Sequence, residues 1–326
     1  MCTSISIDSK DGEIFFGRTM DFSYELDPEV YIFPRNYKWK SLVEDNIFIT
    51  KYKFIGTGQN IGGVTLADGV NENGLAVAAL YFYGFAHYNS IPNHEKTNIA
   101  SIELANFLLG ECRDIEEVMY IINKIEIIGV TDPITNTVTP LHWIVVDRKG
   151  KCIVIEQTIK GLEIFNNQAK TLANSPNFDW HMTNLRNYMN VSPNQTEEAN
   201  WDNIKLKPFG QAGGSFGLPG DYTSPSRFVR TTFLRSFSDI NDTSEDVLNT
   251  CFNIMKSVSI PKGIVLTSKG TYDYTQYTVF MNIFTGDYYF NTYNNNQIFH
   301  ASINDSNSLD VTSLGGLKQK FKAEHI

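Results

Sequence analysis

The second residue of this 326-residue chain is a cysteine, and its place beside the chain start gives it unusual chemistry. If Met1 is removed, Cys2 becomes the first residue, and its thiol and a free α-amine are then attached to one carbon. The thiol has a reference pKa of about 8.5 and the amine one of about 7.7–8.0, so the pair supplies a nucleophile and a base near neutral pH. A small positive field would shift the thiol toward the thiolate. This pairing predicts acyl transfer by nucleophilic attack.

The alternative is that Cys2 is an ordinary small residue behind the initiator methionine. The assignment of Cys2 as a nucleophile therefore needs neighbouring side chains that could activate it.

Other motifs give weaker signals. Residues 56–61 follow a strand like a dinucleotide-binding loop, but Ile61 stands at the third glycine position and no helix follows. Residues 210–215 lack the Gly-Lys-Ser/Thr ending of a phosphate-binding loop. No histidine pair has ligand spacing, and His142 lies in an apolar strand typical of the core, so we expect neither a metal nor an organic cofactor.

A predicted hairpin supplies the missing partners of Cys2. Residues 3–8 alternate polar and apolar, residues 9–12 read Ser-Lys-Asp-Gly and predict a turn, and residues 13–21 form the return strand. With Asp8 opposite Glu13, Cys2 would face Thr19. A register error of one residue would still leave Arg18 and Asp21 beside Cys2, where a guanidinium could stabilise a thiolate and a carboxylate could orient the amine. The alternative for this pair is a surface ion pair worth about 0–1 kcal/mol.

The elements that must carry this hairpin are mostly strands. Strands are predicted at residues 51–55, 63–67, 75–83, 141–146, 151–157, 161–165, 276–283 and 288–293. Helices are predicted at residues 102–109, at 115–124 with Asp114 as N-cap, from Ser224-Pro225, and at 245–258 with Ser244 as N-cap. This order predicts an α+β fold, in which antiparallel sheets carry helices on their outer faces, and does not fit a βαβ series.

Composition excludes several classes of protein. The 27 basic and 36 acidic side chains give a formal charge of −9 without a basic block, which is a poor basis for binding nucleic acid or an anionic membrane. The N-terminus has neither the basic nor the apolar region of a secretory signal, so a cytoplasmic location is expected. The longest uncharged apolar run, about residues 74–86, is too short to span a bilayer. Cys112, Cys152 and Cys251 are predicted to be inert core residues.

A series of ordered sequence blocks extends along almost the whole chain. The blocks are Met1-Cys2-Thr3-Ser4, Gly17-Arg18-Thr19-Met20-Asp21-Phe22, Pro34-Arg35-Asn36-Tyr37, Asp68-Gly69-Val70-Asn71-Glu72-Asn73-Gly74-Leu75, Leu141-His142-Trp143, Asn174-Ser175-Pro176, Gly217-Leu218-Pro219-Gly220-Asp221-Tyr222 and Ser226-Arg227-Phe228-Val229-Arg230. From residue 2 to about 300, the chain resembles the choloylglycine hydrolase family, which contains penicillin V acylases and conjugated bile salt hydrolases.

The resemblance implies an N-terminal nucleophile hydrolase fold, an αββα sandwich of two stacked antiparallel sheets, as a single domain over residues 2–326. It implies that Met1 is lost and that Cys2 is the nucleophile. It gives catalytic roles to Arg18, Asp21, Asn174 and Arg227. Members of the family are commonly homotetramers, and residues 188–220 resemble the segment that extends from the domain in the assembly.

Position 81 bears on the subfamily. Bile salt hydrolases usually have Asn where this chain has Tyr81, whereas penicillin V acylases of this kind have Tyr, and an aromatic wall suits a phenoxyacetyl group. The sequence therefore favours a penicillin V acylase. A conjugated bile salt hydrolase, cleavage of acyl-homoserine lactones, and a non-catalytic binding protein are the alternatives. Tyr81 could also be only a core strand residue.

In the predicted mechanism, the Cys2 thiol passes its proton to its own amine and attacks a linear amide to form a thioester, which water then hydrolyses. The resemblance assigns the oxyanion donors to the Asn174 side chain and the Tyr81 backbone N–H. Arg18 would favour the thiolate, Asp21 would fix the amine, and Arg227 would order the carboxylates. Met20, Phe22 and Tyr81 are the expected pocket walls.

Overall fold

Two large antiparallel sheets lie face to face in the computed structural model, which describes residues 1–44, 46–240 and 243–321. The sheet that contains the first strand of the chain is called the N-terminal sheet. In spatial order, its strands are Thr171–Leu172, Cys2–Asp8, Ile14–Phe22, Tyr272–Asn282, Asp287–Thr292 and Asn295–Ser302. The short strand Val265–Leu266 pairs with the fourth of these, Tyr272–Asn282. The second sheet contains Gly161–Asn166, Cys152–Thr158, Leu141–Val146, Ala76–Tyr81, Val64–Asn71, Phe54–Asn60, Glu29–Phe33 and Thr312–Gly316.

Smaller elements complete the described chain. Four two-stranded ladders pair Lys38–Lys40 with Ile47–Ile49, Thr97–Ala100 with Ile125–Ile128, Thr131–Asp132 with Thr137–Val138, and Ala199–Trp201 with Ile204–Leu206. The α-helices are Leu104–Glu111, Ile115–Ile122, Phe178–Asn184, Ser224–Phe237 and Ser244–Lys256, and the 3-10 turns are Ser101–Glu103, Leu185–Tyr188 and Gly213–Ser215. Within the described ranges, no helix is both long and apolar enough to cross a bilayer.

Side-chain alternation divides the core into three layers. In the first strand, Ile5 and Ile7 point outward and pack with Phe252 and Met255 of the helix Ser244–Lys256. Cys2 points to the opposite face and belongs to the cluster between the sheets. Because successive strand side chains alternate between faces, an even-numbered Cys2 must point away from Ile5 and Ile7. A third cluster packs Leu104–Glu111 and Ile115–Ile122 on the outer face of the second sheet. The predicted α+β sandwich with helices outside is therefore confirmed.

The predicted hairpin register is wrong by one residue. Asp8 pairs with Ile14, and Cys2 lies opposite Met20 instead of Thr19. The connection is one residue longer than predicted, since Ser9 N–H donates to the Glu13 carbonyl (2.8 Å) and Gly12 has φ +86°. The difference matters, because a slip of one residue moves side chains to the other face. The observed register places Arg18 and Cys2 on the same inward face.

Several predicted elements shift for local reasons. Asp114 caps its helix as predicted by accepting from Glu117 N–H (3.1 Å). The other two predicted N-caps, Ser224 and Ser244, are wrong by one residue. The observed N-caps are Thr223, before the helix Ser224–Phe237, and Thr243, which accepts from Asp246 N–H (3.2 Å) before the helix Ser244–Lys256. Residues 51–52 are not part of a strand, since both of their N–H groups donate to the Gly110 carbonyl at the end of a helix.

The segment of residues 188–220 lies outside both large sheets and contains the short ladder of Ala199–Trp201 and Ile204–Leu206. Large apolar side chains are exposed along it, namely Met189, Trp201, Ile204, Phe209 and Phe216. Its role in assembly stays a prediction. The single-domain assignment also stays a prediction, and its boundary at residue 326 lies outside the described residues.

The close approach of two strands requires a glycine immediately before Arg18. A Cβ atom at Gly17 would lie 2.1 Å from the Val279 carbonyl oxygen and 2.4 Å from the Phe280 ring. We expect Gly17→Ala to lower the free energy of unfolding by about 1–3 kcal/mol, as overpacked cores do. Urea unfolding would measure this. Gly220→Ala is the control, because its Cβ would meet nothing within 4 Å. Equal stability of the two variants would contradict the expectation.

Candidate active site

Cys2 lies at the inner edge of the first strand, and its side chain is almost fully buried at the bottom of a cleft. Its sulfur is 2.5 Å from Arg18 Nη2. The two side chains meet because Arg18 is diagonal to Cys2 across the hairpin, with Met20 directly opposite. The contact brings a permanent positive charge to the sulfur, as a nucleophilic thiolate requires.

Arg18 is completely buried and has a fixed position. Its Nε donates to the Thr19 carbonyl (3.0 Å) and its Nη1 to the Ala79 carbonyl (3.0 Å) on the second sheet. Burial acts to lower the pKa of Arg18, but the nearby Cys2, Tyr277, Asp68 and Asp21 outweigh it and raise that pKa above its ordinary value. The guanidinium therefore keeps its charge beside the sulfur.

Asp21 lies beyond Met20 and is also fully buried. Its Oδ1 accepts from the Thr275 hydroxyl (2.6 Å), its Oδ2 accepts from the Thr19 hydroxyl (3.2 Å), and Arg227 Nη1 is 3.9 Å from Oδ2. Burial raises the pKa of this carboxyl, and Arg227 is the foremost group opposing that rise.

Met1 extends the first strand by one residue in this structure. Asp21 N–H donates to the Met1 carbonyl (2.9 Å), and the Met1 amino group donates to the Asp21 carbonyl. The Cys2 nitrogen is therefore a peptide N–H, and it donates to Asn174 Oδ1 (2.7 Å). Loss of Met1 would convert this nitrogen into an amine at the same place, with Asn174 beside it and the Asp21 backbone groups exposed to it.

Asn174 comes from a segment far from Cys2 in sequence. Its Oδ1 accepts from the Cys2 nitrogen and from Arg227 Nη2 (2.7 Å), and its Nδ2 donates to the Tyr81 carbonyl (2.7 Å). An amide nitrogen carries two N–H groups, so one remains for another acceptor. The predicted oxyanion role of Asn174 stays a prediction, and it depends on that second N–H.

Two buried histidines hold the Asn174 segment. The Nε2 atoms of His142 and His181 lie 2.9 and 2.8 Å from the carbonyl oxygens of Ala173 and Asn174. His142 Nδ1 is 3.0 Å from Glu156, so His142 is the satisfied core residue that the sequence predicted. Burial lowers the pKa of His181 to about 4, which keeps it neutral at ordinary pH. The support from His181 was not predicted, because no local pattern marks it.

Arg227 approaches from the helix Ser224–Phe237 and connects the other groups. Its Nη1 donates to the Cys2 carbonyl (2.6 Å) and to the Thr3 hydroxyl, while its Nη2 reaches Asn174 Oδ1. Burial lowers the pKa of Arg227, opposed by Asp21 and Cys2. Arg227 thus contacts the backbone of the nucleophile more closely than it contacts the Asp21 carboxylate.

The cleft above the sulfur is lined mostly by apolar side chains. Its walls include the predicted Met20, Phe22 and Tyr81, together with Leu26, Leu141 and Tyr277. Tyr81 is at the cleft wall and stacks on Tyr83 with ring centroids 6.2 Å apart, so it is not a core residue only. Such a lining is typical of a small-molecule site.

The Tyr81 backbone N–H points away from the neighbouring strand Leu141–Val146. Phe82 N–H donates to the Pro140 carbonyl (2.8 Å) on the neighbouring strand. Because successive peptide groups of a strand point to opposite sides, Tyr81 N–H points to the side on which Arg18 reaches the Ala79 carbonyl. This direction supports the predicted oxyanion donor.

Asn174→Ala is expected to lower kcat by about 10²–10³-fold, as loss of one oxyanion donor does. It also removes the acceptor of the Cys2 nitrogen. Initial rates at saturating substrate would measure the change, with near-native circular dichroism as the check on folding. A kcat within twofold of the unsubstituted chain would contradict the assignment.

This site is built on an N-terminal nucleophile hydrolase fold, in which the first strand carries the reactive side chain. Residues 2–315 match the family model described as linear amide C-N hydrolases, choloylglycine hydrolase family. The chain belongs to this family, and it is an amidohydrolase acting on linear amides.

Named relatives support this assignment. The chain is 37% identical over 310 residues to a bile salt hydrolase/transferase of Clostridium perfringens (strain 13 / Type A), covering 94% of each chain. A solved structure of a conjugated bile acid hydrolase mutant from Clostridium perfringens matches with a TM-score of 0.92 and 34% identity over the whole of both chains. A penicillin V acylase of Pectobacterium atrosepticum is more distant, at 25% identity over 76% of this chain and 66% of its own length.

Proposed function

We propose that this protein is a conjugated bile salt hydrolase, which cleaves the amide between a steroid acid and an amino acid. The observation that carries amide cleavage is the contact of 2.5 Å between Arg18 Nη2 and the Cys2 sulfur at the bottom of an apolar cleft. The choice of substrate rests on the names of the nearer relatives and on the apolar lining of the cleft. The sequence-based preference for a penicillin V acylase is thereby revised.

The proposed reaction starts from a chain that begins at Cys2. The sulfur proton passes to the Cys2 amine, and the sulfur attacks the amide carbon, whose oxygen takes the negative charge. Asn174 Nδ2 and Tyr81 N–H donate to that oxygen. The protonated amine then gives its proton to the leaving nitrogen, and a thioester remains on the sulfur. The amine next takes a proton from water, which attacks the thioester and releases the acid.

The surrounding groups keep this arrangement in place. Arg18 favours the thiolate through its fixed charge, and the role assigned to Asp21 is to hold the amine. Arg227 holds the Cys2 carbonyl and Asn174 Oδ1, so it fixes the distance between nucleophile and oxyanion donor. The same machinery would serve a penicillin V acylase, and Tyr81 stacked on Tyr83 in the cleft is the observation that favours this second candidate.

A substrate panel tests the proposal. Initial rates of the processed chain would be compared on glycine-conjugated bile salts, phenoxymethylpenicillin and acyl-homoserine lactones, with the Cys2→Ala variant as the blank. We expect the highest kcat/KM on a conjugated bile salt. Higher kcat/KM on phenoxymethylpenicillin would favour the second candidate. Ligand binding without turnover of any substrate would favour the non-catalytic alternative.

We further propose a cytoplasmic homotetramer in which the segment 188–220 contacts other copies. Its exposed aromatic side chains, among them Trp201 and Phe209, support this proposal. Light scattering on a purified chain would measure the mass in solution, and a monomer at micromolar concentration would contradict it.

A further inference from the structure

A buried carboxylate that the proposed mechanism does not use lies behind Arg18. Asp68, on the strand Val64–Asn71, is fully buried, and its Oδ1 accepts from the Tyr288 hydroxyl. Its Oδ2 is 3.6 Å from Arg18 Nη1 and has no hydrogen-bond partner within the described part of the chain. The guanidinium of Arg18 therefore contacts the Cys2 sulfur through one terminal nitrogen and faces Asp68 with the other.

Backbone carbonyl groups hold the Arg18 guanidinium in position. Backbone carbonyls of Thr19, Ala79 and Ala67 accept from its Nε and Nη1 at 3.0, 3.0 and 3.4 Å. Ala67 is the extra residue of a β-bulge, since Asp68 pairs with Thr57 whereas Leu66 pairs with Gly58. Bulges commonly redirect a strand beside an active site. Because carbonyls fix the guanidinium, the contribution of Asp68 is its charge.

The groups that face Asp68 come from several strands. They are Arg18 from Ile14–Phe22, Tyr288 from Asp287–Thr292, Tyr277 from Tyr272–Asn282 and Thr57 from Phe54–Asn60. The pKa values of Tyr277 and Tyr288 are well above the ordinary range because of burial, so both phenols stay neutral. Burial raises the pKa of Asp68 to about 6, against the opposing effects of Arg18 and of the Tyr288 hydroxyl. Its charge therefore changes close to neutral pH.

We propose that Asp68 acts on the Cys2 sulfur indirectly, through the charge of Arg18. The charged Asp68 carboxylate partly cancels the positive potential of the guanidinium at the sulfur, and the neutral carboxyl group leaves that potential at full strength. This proposal rests on the proposed function, in which the Cys2 thiolate is the nucleophile. An anion beside Arg18 disfavours a second anion on the sulfur, because the two negative charges share one cation. Acidification toward pH 6 protonates the thiol directly, but it also neutralises Asp68. Neutral Asp68 favours the thiolate, so the second effect partly offsets the first.

Asp68→Asn tests this inference, since the amide keeps the shape and loses the charge. The rate of Cys2 alkylation by iodoacetamide would be followed against pH on the processed full-length chain, with intact mass and peptide mapping as the readout. We expect the midpoint of the Cys2 profile to fall by about one pH unit. Burial raises the pKa of Cys112 and of Cys152 to about 12 and also raises that of Cys251, so these thiols stay largely unreactive.

Two further variants make the result decisive. Glu103→Gln is the matched control, because Glu103 is another buried carboxylate whose pKa is raised by burial. Its partners are Ser41, Leu42 and Ala100, so its substitution should leave the midpoint of the Cys2 profile unchanged. Tyr288→Phe keeps the Asp68 carboxylate but removes a hydrogen bond that favours its charged form. A smaller fall in the same direction is expected, and this variant decides the case if Asp68→Asn does not fold.

The outcomes separate this inference from the proposed function. An unchanged or raised midpoint in Asp68→Asn and in Tyr288→Phe overturns the role of Asp68, although Cys2 would still be alkylated and amides still cleaved. If iodoacetamide does not react with Cys2 in the unsubstituted processed chain, the proposed nucleophile fails and this inference fails with it.

Discussion

Replacing Cys2 by serine is expected to abolish amide hydrolysis, with a loss of about 10⁴-fold or more in kcat, as removal of a nucleophile does in other acyl-transfer enzymes. A serine hydroxyl is a much weaker acid than a thiol, so the charge of Arg18 cannot supply a comparable nucleophile. Cys2→Ala removes the nucleophile altogether. The rate on a conjugated bile salt and the rate on phenoxymethylpenicillin should fall together, because both reactions would use the same sulfur.

The fold should survive both substitutions. Cys2 lies at the end of its strand, and Ser4 and Ser6 already point to the same buried face, so small side chains are accommodated there. We expect a change of about 1 kcal/mol or less in the free energy of unfolding for serine. A Cys2→Ala protein that retains full activity would remove the mechanism, whatever substrate is used.

A chain in which Cys2 stays in a peptide bond is the second variant expected to lose activity almost completely. A peptide nitrogen has no basic lone pair, and in this structure the Cys2 N–H donates to Asn174 Oδ1. Without the general base, the expected loss is about 10²–10⁴-fold in kcat. The thiol itself should remain beside Arg18, so alkylation of Cys2 should persist while hydrolysis does not.

A cleavable N-terminal extension gives the sharpest form of this experiment. A protease that cuts immediately before Cys2 would convert one sample from the blocked to the free form, so that rates before and after cleavage refer to the same protein. The same extension on Cys2→Ser is the matched control, and it should show no gain on cleavage. Equal rates before and after cleavage would mean that the amine has no part in catalysis.

The sequence was sufficient for the parts of the site that are close together along the chain. A hairpin brings Arg18 and Asp21 near Cys2, and a turn signal followed by alternating residues predicts that hairpin without knowledge of the fold. The register failed by one residue, because the connection includes Glu13 and places Gly12 at positive φ, a choice between neighbouring turn lengths that the turn residues do not determine.

The distant parts of the site could not be predicted from local patterns. Asn174 follows the strand Thr171–Leu172, which pairs with the first strand, and Arg227 lies on the helix Ser224–Phe237. Both reach Cys2 through contacts between distant parts of the chain, so the resemblance to a family was needed to nominate them. Asp68 belongs to one of the sequence blocks that carry the family resemblance, but no local pattern indicates its role, because its contact with Arg18 depends on a bulge at Ala67 in the facing sheet. The strands Glu29–Phe33 and Thr312–Gly316 were also missed, and they pair across nearly the whole length of the chain.

Intact mass spectrometry of the enzyme during turnover tests the central claim most directly. Acid quenching in the presence of substrate should trap the thioester as an added acyl mass on the species that lacks one methionine residue and begins at Cys2. The species that retains Met1 should carry no acyl group. An acyl adduct on the Met1-containing chain, or sustained hydrolysis by a sample composed entirely of that chain, would contradict this account.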